Sequence, residues 1–177
     1  TVATIDFAKQ FKGHGWVGIR YQVEPDEDYN EIIIHIRFKE TDAKLQQETL
    51  GILGVNLIYG AFYKYNDPKK LLRYLYDHLD KDQLEIDTIN FSGPRFANVD
   101  NRLMSLQLVK NGMTDAVMFG PDGKNILPAA ILYKKNILAL RGSYRPVTNV
   151  NIDMYEKSLK MFLEESEVEK DNTLVIF

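Results

Sequence analysis

The chain has no cysteine, so disulfides, thiolate nucleophiles and cysteine-ligated zinc or iron–sulfur sites are excluded within it. That absence is compatible with a reducing compartment, and a cytoplasmic location is the expectation. Histidine is scarce as well. His14, His35 and His78 lie far apart without metal-ligand spacing, and each reads as a surface or packing residue, so no metal is expected. A basic excess is also missing: 22 Lys and Arg stand against 25 Asp and Glu, a formal charge of -3. Nothing in that balance gathers phosphate backbones or anionic lipid, which argues against nucleic acid as a partner. The longest charge-free stretch lies between Glu48 and Lys64 and carries Asn56 and three glycines. A membrane span needs about 18 or more apolar residues, so the stretch reads as a core helix and no membrane partner is expected.

What is present fits a globular protein. Hydrophobic residues make up 45% and charged residues 27% of 177 residues, enough for a single α/β domain over 1–177 with one sizeable core. The closing run Thr173-Leu174-Val175-Ile176-Phe177 has the character of a strand buried in a parallel sheet. It predicts that the domain is a piece of a longer chain, whose remainder is its first partner.

A short helix is predicted over residues 3 to 11. Val17, Ile19, Tyr21 and Val23 then alternate as a half-buried strand, and Pro25 to Asp28 turn the chain. Ile32, Ile34, Ile36 and Phe38 share one face of the next strand, with Ile33, His35 and Arg37 on the other, which gives an antiparallel hairpin. Leu50, Ile52, Leu53, Val55, Leu57, Ile58 and Phe62 cover nearly every side of a helix, which is therefore expected to be buried, with Gly51 and Gly54 admitting another backbone. Asp67 before Pro68 caps a second helix with a Leu71, Leu72, Leu75, Tyr76, Leu79 stripe. From residue 83 short apolar runs (84–91, 116–119, 137–140, 174–177) alternate with helical segments (99–110, 127–134, 152–165). That alternation predicts a mostly parallel, Rossmann-like sheet flanked by helices, preceded by the N-terminal antiparallel hairpin.

Gly13-His14-Gly15-Trp16-Val17-Gly18 spells GxGxxG, but a strand follows it where the dinucleotide fingerprint needs a helix. It reads as a glycine-rich entry to a strand. The acidic groups at 26–28 and 164–169 read as solvated faces. The constellation that carries a functional expectation is positional. In an open parallel sheet, ligands sit outside the carboxyl ends of the strands. Three loops are expected there: Ser92-Gly93-Pro94-Arg95, Gly120-Pro121-Asp122-Gly123-Lys124 and Arg141-Gly142-Ser143-Tyr144-Arg145-Pro146. Their glycines let amides approach a ligand, Arg95, Lys124, Arg141 and Arg145 supply positive charge, and Asp100, Asn101 and Arg102 open the helix beside the first loop. The competing reading makes these ordinary turns, Asp122-Gly123 above all.

The segment from Arg141 to Asp153 resembles the first-strand motif of phosphopantetheine and nicotinate-nucleotide adenylyltransferases at Gly142, Ser143, Tyr144, Pro146 and Thr148. It departs where that chemistry lives. Arg145 stands at the acidic position, Val150 at the glycine and Asn151 at the phosphate-stabilising histidine, so adenylyl transfer is not expected of this segment. More broadly, the stretches Gln46–Tyr65, Asp87–Asn125 and Leu132–Thr148 resemble a family of longer, uncharacterised bacterial proteins. Its members carry labels as different as nicotinate-nucleotide adenylyltransferase and TonB-dependent receptor. The resemblance implies a bacterial protein of more than this domain and supplies no catalytic residues. The leading expectation is a domain that binds a nucleotide-like or other anionic small molecule, its cofactor unknown. The alternatives are a non-catalytic scaffold or assembly domain, with a homo-oligomer among its expected forms, and a degenerate nucleotidyltransferase-like domain.

Overall fold

The computed structural model describes residues 2–4 and 13–177, so most of the helix expected over 3–11 lies outside the described residues. The chain divides into two compact units, 1–127 and 128–177.

The first unit is built on one antiparallel sheet in the order β1 (Val2–Thr4), β2 (His14–Tyr21), β3 (Asn30–Phe38), β4 (Leu84–Ser92). Period-two patterning makes one face of β3 the floor of the core: Ile32, Ile34 and Ile36 are fully buried and Phe38 nearly so. In β4 the same face is carried by Leu84, Ile86, Ile89 and Phe91, a spacing that slips by one residue midway. The slip is a β-bulge: His35 pairs with Thr88 but Ile36 with Ile86, leaving Asp87 as the extra residue. The bulge keeps both halves of the strand in phase with the core and sets Asp87 beside His35.

Two helices follow the hairpin in sequence, α1 (Ala43–Tyr63) and α2 (Pro68–Tyr74). Asp42 caps α1 by accepting from the Lys44 and Leu45 amides, and Asp67 caps α2 by accepting from Lys70, with Pro68 in the first turn. Leu53, Leu57, Leu71, Leu72 and Leu75 enter the same core as the sheet. Asn56 ties the helices together by donating to the Leu75 and Asp77 carbonyls at 3.1 and 2.7 Å. Contrary to expectation, α1 is buried on one side only. Val55, Ile58, Phe62 and Tyr63 stay exposed, and a side chain placed at Gly51 or Gly54 would meet nothing within 4 Å. Among the described residues no helix is long and apolar enough to cross a membrane. After β4, a 3-10 turn (Pro94–Phe96) leads to α3 (Asn101–Lys110), and a small hairpin of β5 (Met118–Phe119) and β6 (Asn125–Ile126) closes the unit.

The second unit contains α4 (Pro128–Leu132), β7 (Asn136–Ala139), α5 (Asn149–Glu164) and β8 (Thr173–Ile176). β7 and β8 pair in parallel across the α5 crossover, the connection such a pair requires.

The mostly parallel, Rossmann-like sheet is therefore corrected. The protein is α/β, but its main sheet is antiparallel, and among the described residues only the β7–β8 pair is parallel. At the centre of the run 84–91 Ile86, Asp87, Thr88 and Ile89 are all buried, which gives an antiparallel strand the continuous character of a parallel one there. The run at 116–119 is one arm of the two-residue β5–β6 hairpin.

Candidate functional site

The face of β2–β3–β4 opposite the main core carries the chemistry. Across its rungs the register sets Trp16 beside His35 and Thr88, and Gly18 beside Ile33 and Asn90. Over these rungs opens a cleft of about 620 Å³, within the range of small-molecule sites. Trp16 and Ile33 give it an apolar side, with the indole 42% exposed. Thr88 and Asn90 line it from β4, Asp100 to Arg102 from the start of α3, and Gly123 to Asn125 from the β5–β6 turn.

Two asparagines fasten these pieces to the outer edge of β4. The Phe91 amide donates to Asn101 Oδ1 at 2.8 Å and Asn101 Nδ2 donates to the Phe91 carbonyl at 3.0 Å, so one side-chain amide replaces a neighbouring strand. Asn125 Nδ2 donates to the Ile89 and Asn101 carbonyls at 3.1 and 3.3 Å. Asp100 caps α3 through the Arg102 amide and also accepts from the Arg102 guanidinium at 3.0 and 3.3 Å. The Arg102 hydrogen bonds hold the Asp100 carboxyl below the usual carboxylate range. Asp122 is lowered in the same way, chiefly by the Lys124 backbone amide, and Lys124 Nζ lies 3.4 Å from its carboxylate. Gly123 has φ +75°, and a Cβ there would press on the Arg102 side chain at 3.3 Å, so glycine lets that arginine lie over the turn. Two buried polar atoms at the cleft have no hydrogen-bond partner among the described residues: Thr88 Oγ1 and Asn125 Oδ1.

Along the same face runs a chain of three polar groups. His35, 2% exposed, faces the bulged Asp87 through Nδ1 at 2.8 Å, and its Nε2 faces His14 Nδ1 at 3.3 Å. The two contacts orient the His35 ring, with Nδ1 toward the carboxylate and Nε2 toward His14. Trp16 packs edge-on against His35, 4.9 Å between ring centres.

Of the residues expected to bind a ligand, the structure brings Asp100, Asn101, Arg102, Gly123 and Lys124 into one cleft. Asp122 and Gly120 belong to the same β5–β6 turn, where the Gly123 amide donates to the Gly120 carbonyl and the Lys124 amide to Asp122. The first loop does something else. Arg95 is held by Glu27 and, at 3.4 Å, by Glu24, and lies over the Tyr65 ring. Gly93, at φ +101°, packs directly on Tyr29 and Asn30, and Ser92 ends β4 opposite Glu31. Arg141, Gly142, Ser143 and Arg145 form an exposed loop of the second unit, where Tyr144 donates to the Leu140 carbonyl and its ring covers Gly142. The three loops thus do not leave parallel strands of one sheet: the first follows an antiparallel strand, the second is a hairpin turn, and the third follows β7. Trp16, Ile33, Thr88, Asn90 and Asn125 were absent from the expected set. Alternation in β3 already put Ile33 and His35 on a shared face; what it could not supply was which strand pairs with it.

Compared with protein-family models, curated proteins and solved structures, the chain matches none.

Proposed function

We propose that the first unit binds a hydroxylated organic anion, a sugar phosphate or hydroxycarboxylate in chemical class, in the cleft over β2–β4. The observation that carries this reading is the pair of orphaned polar atoms, Thr88 Oγ1 and Asn125 Oδ1, beside a cleft bordered by Arg102 and Lys124. A buried polar atom left unpaired costs about 1–3 kcal/mol, so a ligand that satisfies it is favoured. The Thr88 hydroxyl can donate to an anionic oxygen, and the Asn125 carbonyl accepts from a ligand hydroxyl. Trp16 offers a face for the apolar side of a sugar or other ring. Arg102 and Lys124 already have carboxylate neighbours, but exposed pairs of this kind are worth only about 0–1 kcal/mol and exchange cheaply for a ligand anion.

Trp16 is the only tryptophan in the chain, so its fluorescence reports directly on the cleft. Titration with glucose 6-phosphate, citrate, AMP and inorganic phosphate should change its emission saturably for at least one hydroxylated anion. Arg102→Ala should weaken that response about fivefold to thirtyfold, the loss of about 1–2 kcal/mol of charge-assisted hydrogen bonding after its existing pairing is discounted. An emission response that saturates identically in Arg102→Ala and Lys124→Ala would count against the proposed site.

A second reading, assembly rather than ligand binding, is supported by the exposed apolar face of α1 at Val55, Ile58, Phe62 and Tyr63. Sedimentation velocity separates the two. A monomer across the micromolar range disfavours self-assembly, whereas a dimer dissociated by Ile58→Glu supports it.

A further inference from the structure

We infer that two copies of this chain pair through α1, the helices antiparallel and centred between Val55 and Ile58, a pairing that rests on the assembly reading of the exposed α1 face and adds its partner and register. Gln46, Leu53, Leu57 and Gly60 are buried on the core side of the helix. Glu48, Gly51, Val55, Ile58 and Phe62 lie on the opposite side and are exposed. Their spacings of three, four, three and four residues form the seam by which one helix packs along another. Val55, Ile58 and Phe62, with Val23 at the edge, also line a groove of about 570 Å³ that a facing helix would fill.

Two glycines on this side have no reason within the described residues. A Cβ at Gly51 or Gly54 would meet nothing within 4 Å. Glycine weakens a helix relative to alanine, and in a helix interior it is explained by close approach of another backbone or side chain. Gly60 shows that device used inside the chain, where an added Cβ would stand 3.2 Å from Leu71 Cγ. At Gly51 the space is open, and its occupant must come from another molecule.

The order of sizes and charges along the seam selects a second copy of α1. Turned end for end about a twofold axis between Val55 and Ile58, the seam matches itself: Val55 faces Ile58, and the large Phe62 of each copy faces the empty place at Gly51 of the other. Charge agrees with shape. Glu48 is the only acidic residue of α1, and it lies about three turns before Tyr59 on the same flank. Lys64 lies over Tyr59, with Nζ 5.8 Å from the ring centre, so its charge is turned to that flank at the far end of the helix. Antiparallel pairing brings Glu48 of each copy toward Lys64 of the other. The 3.9 Å contact of Glu48 with Lys44 is exposed and yields readily. Parallel pairing would instead set Glu48 against Glu48 and Phe62 against Phe62, and leave the two Gly51 positions facing a void.

The test joins sedimentation velocity of the full chain with pulsed electron resonance on a spin-labelled Lys44→Cys variant, whose cysteine is the only one in the chain. The expected result is a dimer at tens of micromolar with its two labels about 35–40 Å apart, from about 1.5 Å of rise per residue on either side of the axis. Parallel helices would hold them about 10 Å apart. Gly51→Leu, which meets nothing within its own chain, should lower dimer affinity at least about tenfold by crowding Phe62 of the other copy. The melting temperature of the dilute monomer should stay unchanged or rise in the same variant. Labels about 10 Å apart, or a dimer that Gly51→Leu does not weaken, overturn the antiparallel pairing and leave assembly through α1 standing. A monomer at every concentration, or a dimer indifferent to Ile58→Glu, overturns the assembly reading and the pairing with it.

Discussion

Replacing Asn101 by alanine separates two roles that the sequence alone could not distinguish, ligand contact and repair of a sheet edge. Its amide makes two hydrogen bonds to Phe91, one accepted at 2.8 Å and one donated at 3.0 Å, at the edge of a strand residue that is itself only 3% exposed. Removing the amide leaves the Phe91 N–H and C=O without their partner. Each lost hydrogen bond is worth about 0.5–1.5 kcal/mol net, and an orphaned buried group costs about 1–3 kcal/mol. Asn101 is half-buried, so water recovers part of the loss, and the expected destabilisation is about 2 kcal/mol. For a domain of this size that is a fall in melting temperature of about 5–10 °C. Asn101→Asp should be worse than Asn101→Ala, because a carboxylate oxygen would replace the donor that faces the Phe91 carbonyl. The assay is urea and thermal unfolding followed by circular dichroism, with Trp16 emission as a second probe. A melting temperature unchanged within about 1 °C in Asn101→Ala would refute the edge role, and a selective loss of ligand affinity in its place would assign Asn101 to binding.

Gly93→Ala should destabilise by about 2–4 kcal/mol, because φ +101° is strained for any side chain and the new Cβ would stand 2.6 Å from the Tyr29 carbonyl and 2.7 Å from Asn30 Cα; a denaturation midpoint equal to that of the parent would refute this. Burial pushes the Tyr21 hydroxyl up to about 12 from an ordinary value of 10.0, so the stability tied to its protonation is intact below about pH 10 and is lost as pH rises through about 12. Since that hydroxyl has no hydrogen-bond partner among the described residues, Tyr21→Phe should leave neutral-pH stability within about 0.5 kcal/mol and flatten the alkaline unfolding curve; an unchanged curve would contradict it. At the acid end, Asp100 is depressed by Arg102, so its contribution is present above the ordinary carboxylate range and fades as pH falls through the lowered value. Carboxyl carbon NMR of Asp100 should accordingly titrate below that of Asp100 in Arg102→Ala.

Local chemistry was legible where the answer is local. Asp67 before Pro68 announces a capped helix, and the Ile32, Ile34, Ile36, Phe38 alternation names a core face that is almost completely buried. The direction of β4 was not legible, because antiparallel and parallel partners leave the same mark on a strand buried from both sides at its centre, and the Asp87 bulge also erased its period. Exposure of one face of α1 was hidden for a related reason: a helix apolar on all sides says nothing about which side finds a partner. The candidate site was half legible. Asp100, Arg102, Gly123 and Lys124 carry turn and cap chemistry that stands out in sequence, whereas Thr88 and Asn125 matter only because two elements place them at one cleft. His14 and His35, 21 residues apart, meet through a hairpin register that composition does not encode.

Binding of an anion over β2–β4 is read out residue by residue in amide-detected NMR of the full chain titrated with glucose 6-phosphate, citrate and inorganic phosphate. The Trp16 indole, the Thr88 amide and the side-chain amides of Asn90 and Asn125 should shift together with one saturating profile. Shifts gathered instead around Lys64, Lys70 and Arg73, where a shallow cavity of about 410 Å³ also offers positive charge, would contradict it, as would unshifted cleft resonances at millimolar concentrations of all three anions.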